Sequence, residues 1–248
     1  DAGGFGDDGE QDVISCGSYT DASNTGNPSQ EINLGFEPQF LMVKTASRTS
    51  AWYVFDNMRG MSTQLGKFLQ ANTSDPEYSA SGNYTWYPTA TGFHAPGFFG
   101  AGEEVIYIAI RRPMKTPEAG TEVYKSVTYN GTNTAGQVIS GVGFSPDWAL
   151  TKSRNGTFHQ TWFDRLRGGD RWLFSDATSA EGTVSGYGIR SFDMDGVTYG
   201  TTYGDYTNAA NTYVAHFLKR APGFMDVVCF SGTGVAKTEA HNLGVVPE

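Results

Sequence analysis

The side chains most able to do chemistry recur at a fixed spacing. Asp56 and Arg59 reappear 108 residues later as Asp164 and Arg167, each pair spaced Asp-x-x-Arg. An arginine and a carboxylate so placed could hold a sugar or a ligand carboxylate by bidentate hydrogen bonds. They could equally pin a turn against a sheet, and their presence in both halves of the chain favours that structural use. Asp193 and Asp195 before Gly196 share the acidic alternation that opens a Ca²⁺ loop. The remaining ligands and the closing Glu are missing, so a polar turn before a strand is the expectation. His94, His159, His216 and His241 include no two at metal-ligand spacing, and neither Cys16 nor Cys229 stands beside one. No Gly-x-Ser-x-Gly elbow or phosphate loop occurs. Glu103, Glu104, Glu181, Asp193 and Asp195 are carboxylates a glycosidase could use, without an evident facing pair. No catalytic residue, metal ligand or cofactor is assigned.

The elements that must position these groups are themselves duplicated. Gly143 to Lys152 (Gly-Phe-Ser-Pro-Asp-Trp-Ala-Leu-Thr-Lys) repeats Gly35 to Lys44, and Gly244 to Glu248 resembles a third opening. Pro38 and Pro146, Phe55 and Phe163, and Gly60 and Gly168 keep the 108-residue offset. Leu69 and Leu173, Glu77 and Glu181, and Gly92 and Gly196 differ by 104, which places a four-residue deletion between. Tyr107 with Tyr213, and Ala109 with Ala215, suggest an offset of 106 for the last strand. Short alternating runs such as Asp12 to Tyr19, Phe40 to Lys44, Ala51 to Asp56, Leu65 to Gln70, Tyr84 to Tyr87, Gly92 to His94 and Glu104 to Arg112 read as strands. Phe224 to Phe230 carries a strand pattern too.

The sequence thus predicts an all-β protein of two tandem antiparallel β-sandwich, jelly-roll-like units plus the start of a third. The expected boundaries are a linker at 1–11, unit one at 12–113, a linker at 114–122, unit two at 123–222 and a partial third unit at 223–248. The segment 223–248 is too short to bury a core alone, and is expected to borrow its packing from a neighbouring unit or chain. The start at Asp1 and the stop at Glu248 suggest a piece of something longer.

Charge and composition narrow the partners. Of 248 residues, 17 are Lys or Arg and 26 are Asp or Glu, a net charge of −9 with no basic stripe, so nucleic acid is not expected. No apolar run approaches the ~20 residues of a membrane span. Thirty-two glycines and only 17% charged residues suit many short strands joined by turns.

The duplication also sorts the aromatics. Trp148 matches Phe40, Trp162 matches Val54 and Trp172 matches Phe68, so these positions, apolar in both copies, are expected in the core. Trp52 aligns with Gln160, Trp86 with Arg190 and Tyr87 with Ser191. The shared fold does not demand these three aromatics, which makes Trp52, Trp86 and Tyr87 the candidate ligand-binding surface.

The second copy's motifs run Gly143 to Lys152, Trp162-Phe163-Asp164-Arg165-Leu166-Arg167-Gly168, Leu173 to Glu181, Asp193-Met194-Asp195-Gly196 and Asn211-Thr212-Tyr213-Val214-Ala215. Together they resemble repeats of virion structural and tail-fibre proteins of tailed bacteriophages, over nearly all of both units. The first copy departs at Thr89 to Gly92 and at Glu103-Glu104. The resemblance implies a non-enzymatic, structural and adhesive role on the surface of a phage particle, in a tail fibre or tail-associated appendage. The implied partners are other virion proteins, further copies of the chain, and a host-surface glycan or protein. A capsid or tail decoration protein and a polysaccharide-degrading enzyme are the alternatives.

Overall fold

The computed structural model describes residues 12–26, 29–63, 65–81, 84–183, 186–230 and 232–247. The expected linker at 1–11 lies outside them. The protein is all-β: strands account for 39% of it, and the described residues contain no α-helix. Two compact units form, Asp1–Pro113 with Val228–Ala240, and Met114–Val227 with His241–Glu248.

The first unit contains β1 (Ile14–Thr20), β2 (Gln30–Asn33), β3 (Pro38–Thr45), β4 (Tyr53–Asp56), β5 (Leu65–Gln70), β6 (Tyr78–Ser81), β7 (Tyr87–Pro88), β8 (Gly92–Ala95) and β9 (Glu104–Arg111). Six strands form a sheet in the order β1-β9-β3-β4-β5-β6, and β2-β8-β7 form a smaller one. All pairings are antiparallel. Alternation along β3 shows why the sheets pack. Leu41, Val43 and Thr45 are buried, while Phe40, Met42 and Lys44 point the other way and are half-buried. The inward set meets Phe93 and Ala95 of β8, with Phe55, Trp86, Phe99 and Val105 completing the core.

The second unit repeats the plan with β10 (Tyr124–Asn130), β11 (Val138–Ile139), β12 (Trp148–Ser153), β13 (Thr161–Asp164), β14 (Arg171–Phe174), β15 (Gly182–Thr183), β16 (Ile189–Asp193), β17 (Gly196–Tyr199) and β18 (Thr212–Leu218). Its sheets run β10-β18-β12-β13-β14-β15 and β11-β17-β16. Gly92 and Gly196 occupy equivalent sites for one reason. A Cβ there would lie 1.9 Å from the carbonyl oxygen of Ile32 or of Ile139, so only glycine lets the neighbouring strand approach.

Strand registers correct the expected offset of the last strand. Phe40 faces Ile110 across β3 and β9, and Trp148 faces Leu218 across β12 and β18. Since 148 − 40 and 218 − 110 both equal 108, β9 and β18 align at 108 rather than 106. Buried Arg112 and Arg220 keep the same offset just beyond the strands. At this register Leu41 faces Ala109 in the first unit, and Ala149 faces Phe217 in the second. The large side chain has changed strands, and the pair still fills the space.

Two strand expectations also change. Of Tyr84 to Tyr87 only Tyr87 lies in a strand, and β6 was not expected. Phe224 to Phe230 forms no strand, because the chain turns at Gly223 (φ +68) and returns the Met225 amide to the Ala221 carbonyl, leaving one isolated bridge there.

Candidate functional site

The three aromatics singled out by the sequence do not converge. Trp86 is fully buried, packed on Phe55 at 4.8 Å and Phe98 at 4.9 Å between ring centroids, so its assignment as a surface contact is corrected. Its sequence match, Arg190, is the extra residue of a bulge in β16, where Ile189 pairs with Tyr199 but Ser191 pairs with Thr198. The bulge ejects Arg190 and turns Ile189 into the core position that Trp86 fills in the first unit. Tyr87 is half-buried on the small sheet, its ring 4.3 Å from that of His94, whose pKa burial pushes down. Trp52 is half-buried beside the large sheet, 5.6 Å beneath the Lys44 ammonium.

The aromatics expected in the core are displaced in the opposite sense. Trp148, Trp162, Trp172, Phe40 and Phe68 are all only half-buried. Trp172 and Phe68 do pack against the core edges. Trp148, Trp162 and Phe40 lie on the outer face, because the inward positions of their strands belong to Ala149, Phe163 and Leu41. The outer faces of the two large sheets are therefore the apolar surfaces that need a function. An antiparallel sheet packed on one side normally shows polar side chains on the other.

The faces correspond row by row. In the first unit one ladder runs Cys16, Ile108, Met42, Val54, Leu69 across five strands, with Ile14, Ile110 and Phe40 in the next row. In the second unit the same ladder reads Ser126, His216, Leu150, Trp162, Leu173, with Tyr124, Leu218 and Trp148 beside it. The first face is mainly aliphatic, with Phe40 the ring in these rows. The other combines rings with hydrogen-bonding groups.

In the second unit the exposed Tyr124 hydroxyl lies 2.7 Å from Ser126 Oγ and 3.0 Å from His216 Nδ1, and Ser126 Oγ lies 2.8 Å from that nitrogen. The two rings are within 10° of parallel with centroids 6.3 Å apart. The rings are thus parallel and well offset, with the phenol oxygen meeting the imidazole edge. Trp148 and Trp162 meet edge to face at 5.6 Å, and the Arg167 guanidinium covers Trp162 at 5.2 Å. A flat apolar surface with hydroxyl and imidazole groups at its margin offers stacking and hydrogen bonds together, which is how aromatic sites hold polar ring compounds. The Ser126–His216 distance also fits a nucleophile and base.

The Asp-x-x-Arg pairs serve as turn pins. Asp56 accepts the Arg59 amide at 2.8 Å, and its other oxygen accepts Arg59 Nε. Asp164 does the same for Arg167, at 2.8 Å to the amide. Glu77 and Glu181 add a second carboxylate to each arginine, at 3.5 and 2.9 Å. The acidic pair near Gly196 is likewise engaged. Asp195 accepts the amides of Gly143 at 2.6 Å and Gly141 at 3.0 Å, bonds that hold its carboxyl below the ordinary range. Asp193 accepts the hydroxyls of Ser191 and Thr198.

One buried constellation was missed by sequence reasoning. Asp147, 3% exposed, accepts the backbone amide of Arg220 at 2.8 Å and Arg165 Nε at 3.2 Å. Arg165 Nη2 also donates to the Pro146 carbonyl at 2.7 Å and to Ser145 Oγ at 2.8 Å. In the first unit Glu37 and Arg112 stand 4.0 Å apart, also buried. The Arg recurring at 108 residues was the available signal, hidden by the offset of 106.

No curated protein and no solved structure matches the chain. The twofold pattern is met instead by one family, described as a domain of unknown function (DUF7483), which matches residues 13–110 and again 119–248; the chain belongs to that family.

Proposed function

We propose that the chain is a non-enzymatic structural and adhesive module of a phage virion, part of a tail fibre or tail-associated appendage, working through the outer faces of its large sheets. The observation that carries this reading is a changed exposed face on a kept scaffold. Both copies keep the sheet order, the glycine approach and the pinned turns, and their core exchanges preserve packing, while the exposed ladder changes in chemical character from Cys16–Ile108–Met42 to Ser126–His216–Leu150. A scaffold copied with a changed surface is what an array that builds and binds requires. The virion setting rests on the resemblance of the repeat motifs. In this reading the partners are other virion proteins, further copies of the chain, and a host-surface glycan or protein. The acidic balance of 17 basic against 26 acidic residues disfavours nucleic acid. Among the described residues no helix is long and apolar enough to cross a membrane.

A decoration protein is the second reading, favoured by the aliphatic face of the first unit, which would suit a flat shell surface. The test of adhesion is a glycan array probed with the intact chain and with Trp148→Ala and His216→Ala. Retention on a subset of polysaccharides is expected, weakened by about tenfold or more in each variant, or ~1.4 kcal/mol. No retention by the folded chain removes the adhesive role. Release of reducing sugar from a retained polysaccharide selects the enzyme reading instead.

A further inference from the structure

We infer that the outer face of the first unit's large sheet is the surface on which two copies of this chain pair. The inference rests on the assembly half of the reading above and adds the surface. Its starting point is the five-strand ladder Cys16–Ile108–Met42–Val54–Leu69, flanked by Ile110 and Phe40. Ile14, Ile108 and Leu69 remain 42%, 38% and 39% exposed. Single exposed aliphatics are ordinary, but a contiguous field of them across one sheet face marks a contact surface.

The face approaches interface scale. Its six strands, four to eight residues long and about 4.8 Å apart, span roughly 25 by 20 Å, or about 500 Å² in projection before side-chain relief is counted. A standard protein interface takes about 800 Å² from each partner.

Charge selects a second copy as the occupant. The chain's net charge of −9 opposes self-association wherever its acidic surface leads. On this face Lys44, Arg59 and Lys67 stand against Asp56, Glu77 and Glu104, three charges of each sign. Arg59 is paired with Asp56, and Lys67 lies 3.6 Å from Glu77. A neutral apolar surface is complementary to itself, so a two-fold axis can bury it without a matching partner of opposite sign. The second unit lacks this property, since His216, Ser126 and Tyr124 put a hydrogen-bonded polar cluster where the first has Ile108, Cys16 and Ile14. Cys16, a free and exposed thiol within the ladder, reports on the contact.

The experiment uses the full chain with Cys229→Ser, leaving one thiol. Light scattering with size exclusion should give twice 26.8 kDa, and Cys16 should react with a thiol reagent about tenfold more slowly in concentrated than in dilute protein. Ile108→Asp, whose side chain points away from the core, should give the single mass and a fast thiol at every concentration. Val138→Asp, 61% exposed on the small sheet, should leave pairing intact. Should Ile108→Asp fail to fold, the concentration dependence of Cys16 in the parent still decides. A parent of single mass with a uniformly fast thiol overturns the inference, as does a double mass that survives in folded Ile108→Asp. A single-mass chain that still binds glycan ends pairing but not adhesion, and a paired chain that binds none does the reverse.

Discussion

The two units solve one packing problem with different side chains, and the differences lie in separate layers. Inside, the first unit relies on Phe and Trp: Phe55, Phe93, Phe99 and Trp86. The second places Tyr199, Tyr206 and Tyr213 in the equivalent layer. Two of the hydroxyls find internal partners: Tyr199 meets Thr151 Oγ1 at 2.6 Å and Tyr213 donates to the Gly204 carbonyl at 2.7 Å. Outside, the first unit is aliphatic where the second carries rings and hydroxyls. A core tolerates exchange when volume and polar satisfaction are kept, so core differences leave the fold alone while outer differences change what the unit can touch.

The volume exchange between Leu41/Ala109 and Ala149/Phe217 gives the largest expected effect. Phe217→Ala should destabilise the second unit by about 3–5 kcal/mol in denaturant unfolding, through the cavity it opens. Adding Ala149→Leu should return about 1–2 kcal/mol, because it recreates the first unit's arrangement. Strict additivity of the two changes would show that the copies do not share this register.

The buried ion groups come next. Asp147→Ala should cost about 3 kcal/mol, since it leaves Arg165 and the Arg220 amide without their shared carboxylate in a buried site. Glu37→Ala in the first unit should cost less, the separation from Arg112 there being 4.0 Å. Equal losses in unfolding experiments would break the contrast.

Much of the fold was legible. The 108-residue repeat, the four-residue deletion and the β class follow from residue spacing, and the Asp-x-x-Arg turns were readable because both copies keep them. The last strand was misaligned because Tyr-x-Ala occurs two residues out of register. A slip of two keeps every side chain on its own face, so alternation could not reveal it, and only cross-strand volume does. The site was less legible. Shared apolarity at Phe40/Trp148 and Val54/Trp162 marks a common environment but cannot say which side of the sheet provides it. Trp86 was lost to the bulge at Arg190, which no local residue pattern announces.

Alkaline titration should separate the units further. Burial raises the phenol of Tyr199 to about 12 and pushes Tyr206 and Tyr129 well above the ordinary tyrosine range. A folded-state pKa above the unfolded one gives stability that is present below the unfolded value and lost as pH rises through the folded one. Stability should therefore fall from about pH 10 upward. The second unit, with these three raised phenols, should lose near-ultraviolet circular dichroism first, although burial raises Tyr19 and Tyr87 in the first unit as well. Loss of the first unit's signal before the second's would contradict this.

The smallest effect lies at low pH. Asp195 is held down by the Gly143 and then the Gly141 amide, and the equivalent residue of the first unit is Thr91, which does not titrate. A depressed carboxyl gives stability that is present above its unfolded pKa of about 3.9 and lost as pH falls through the folded value. Exchange of the Gly143 amide should accelerate there, and Asp195→Asn should remove the pH dependence. The loop at Gly35 in the first unit should show none.

The account's central claim is that the scaffold is common and the outer faces carry the function. Grafting tests it directly: Ile14→Tyr, Cys16→Ser and Ile108→His write the second unit's polar cluster onto the first. Measured by light scattering, the grafted chain should lose pairing entirely, while its melting temperature stays within a few degrees of the parent's, as expected for substitutions that leave the core untouched. A graft that unfolds the unit, or one that stays folded and pairs as before, would contradict the claim.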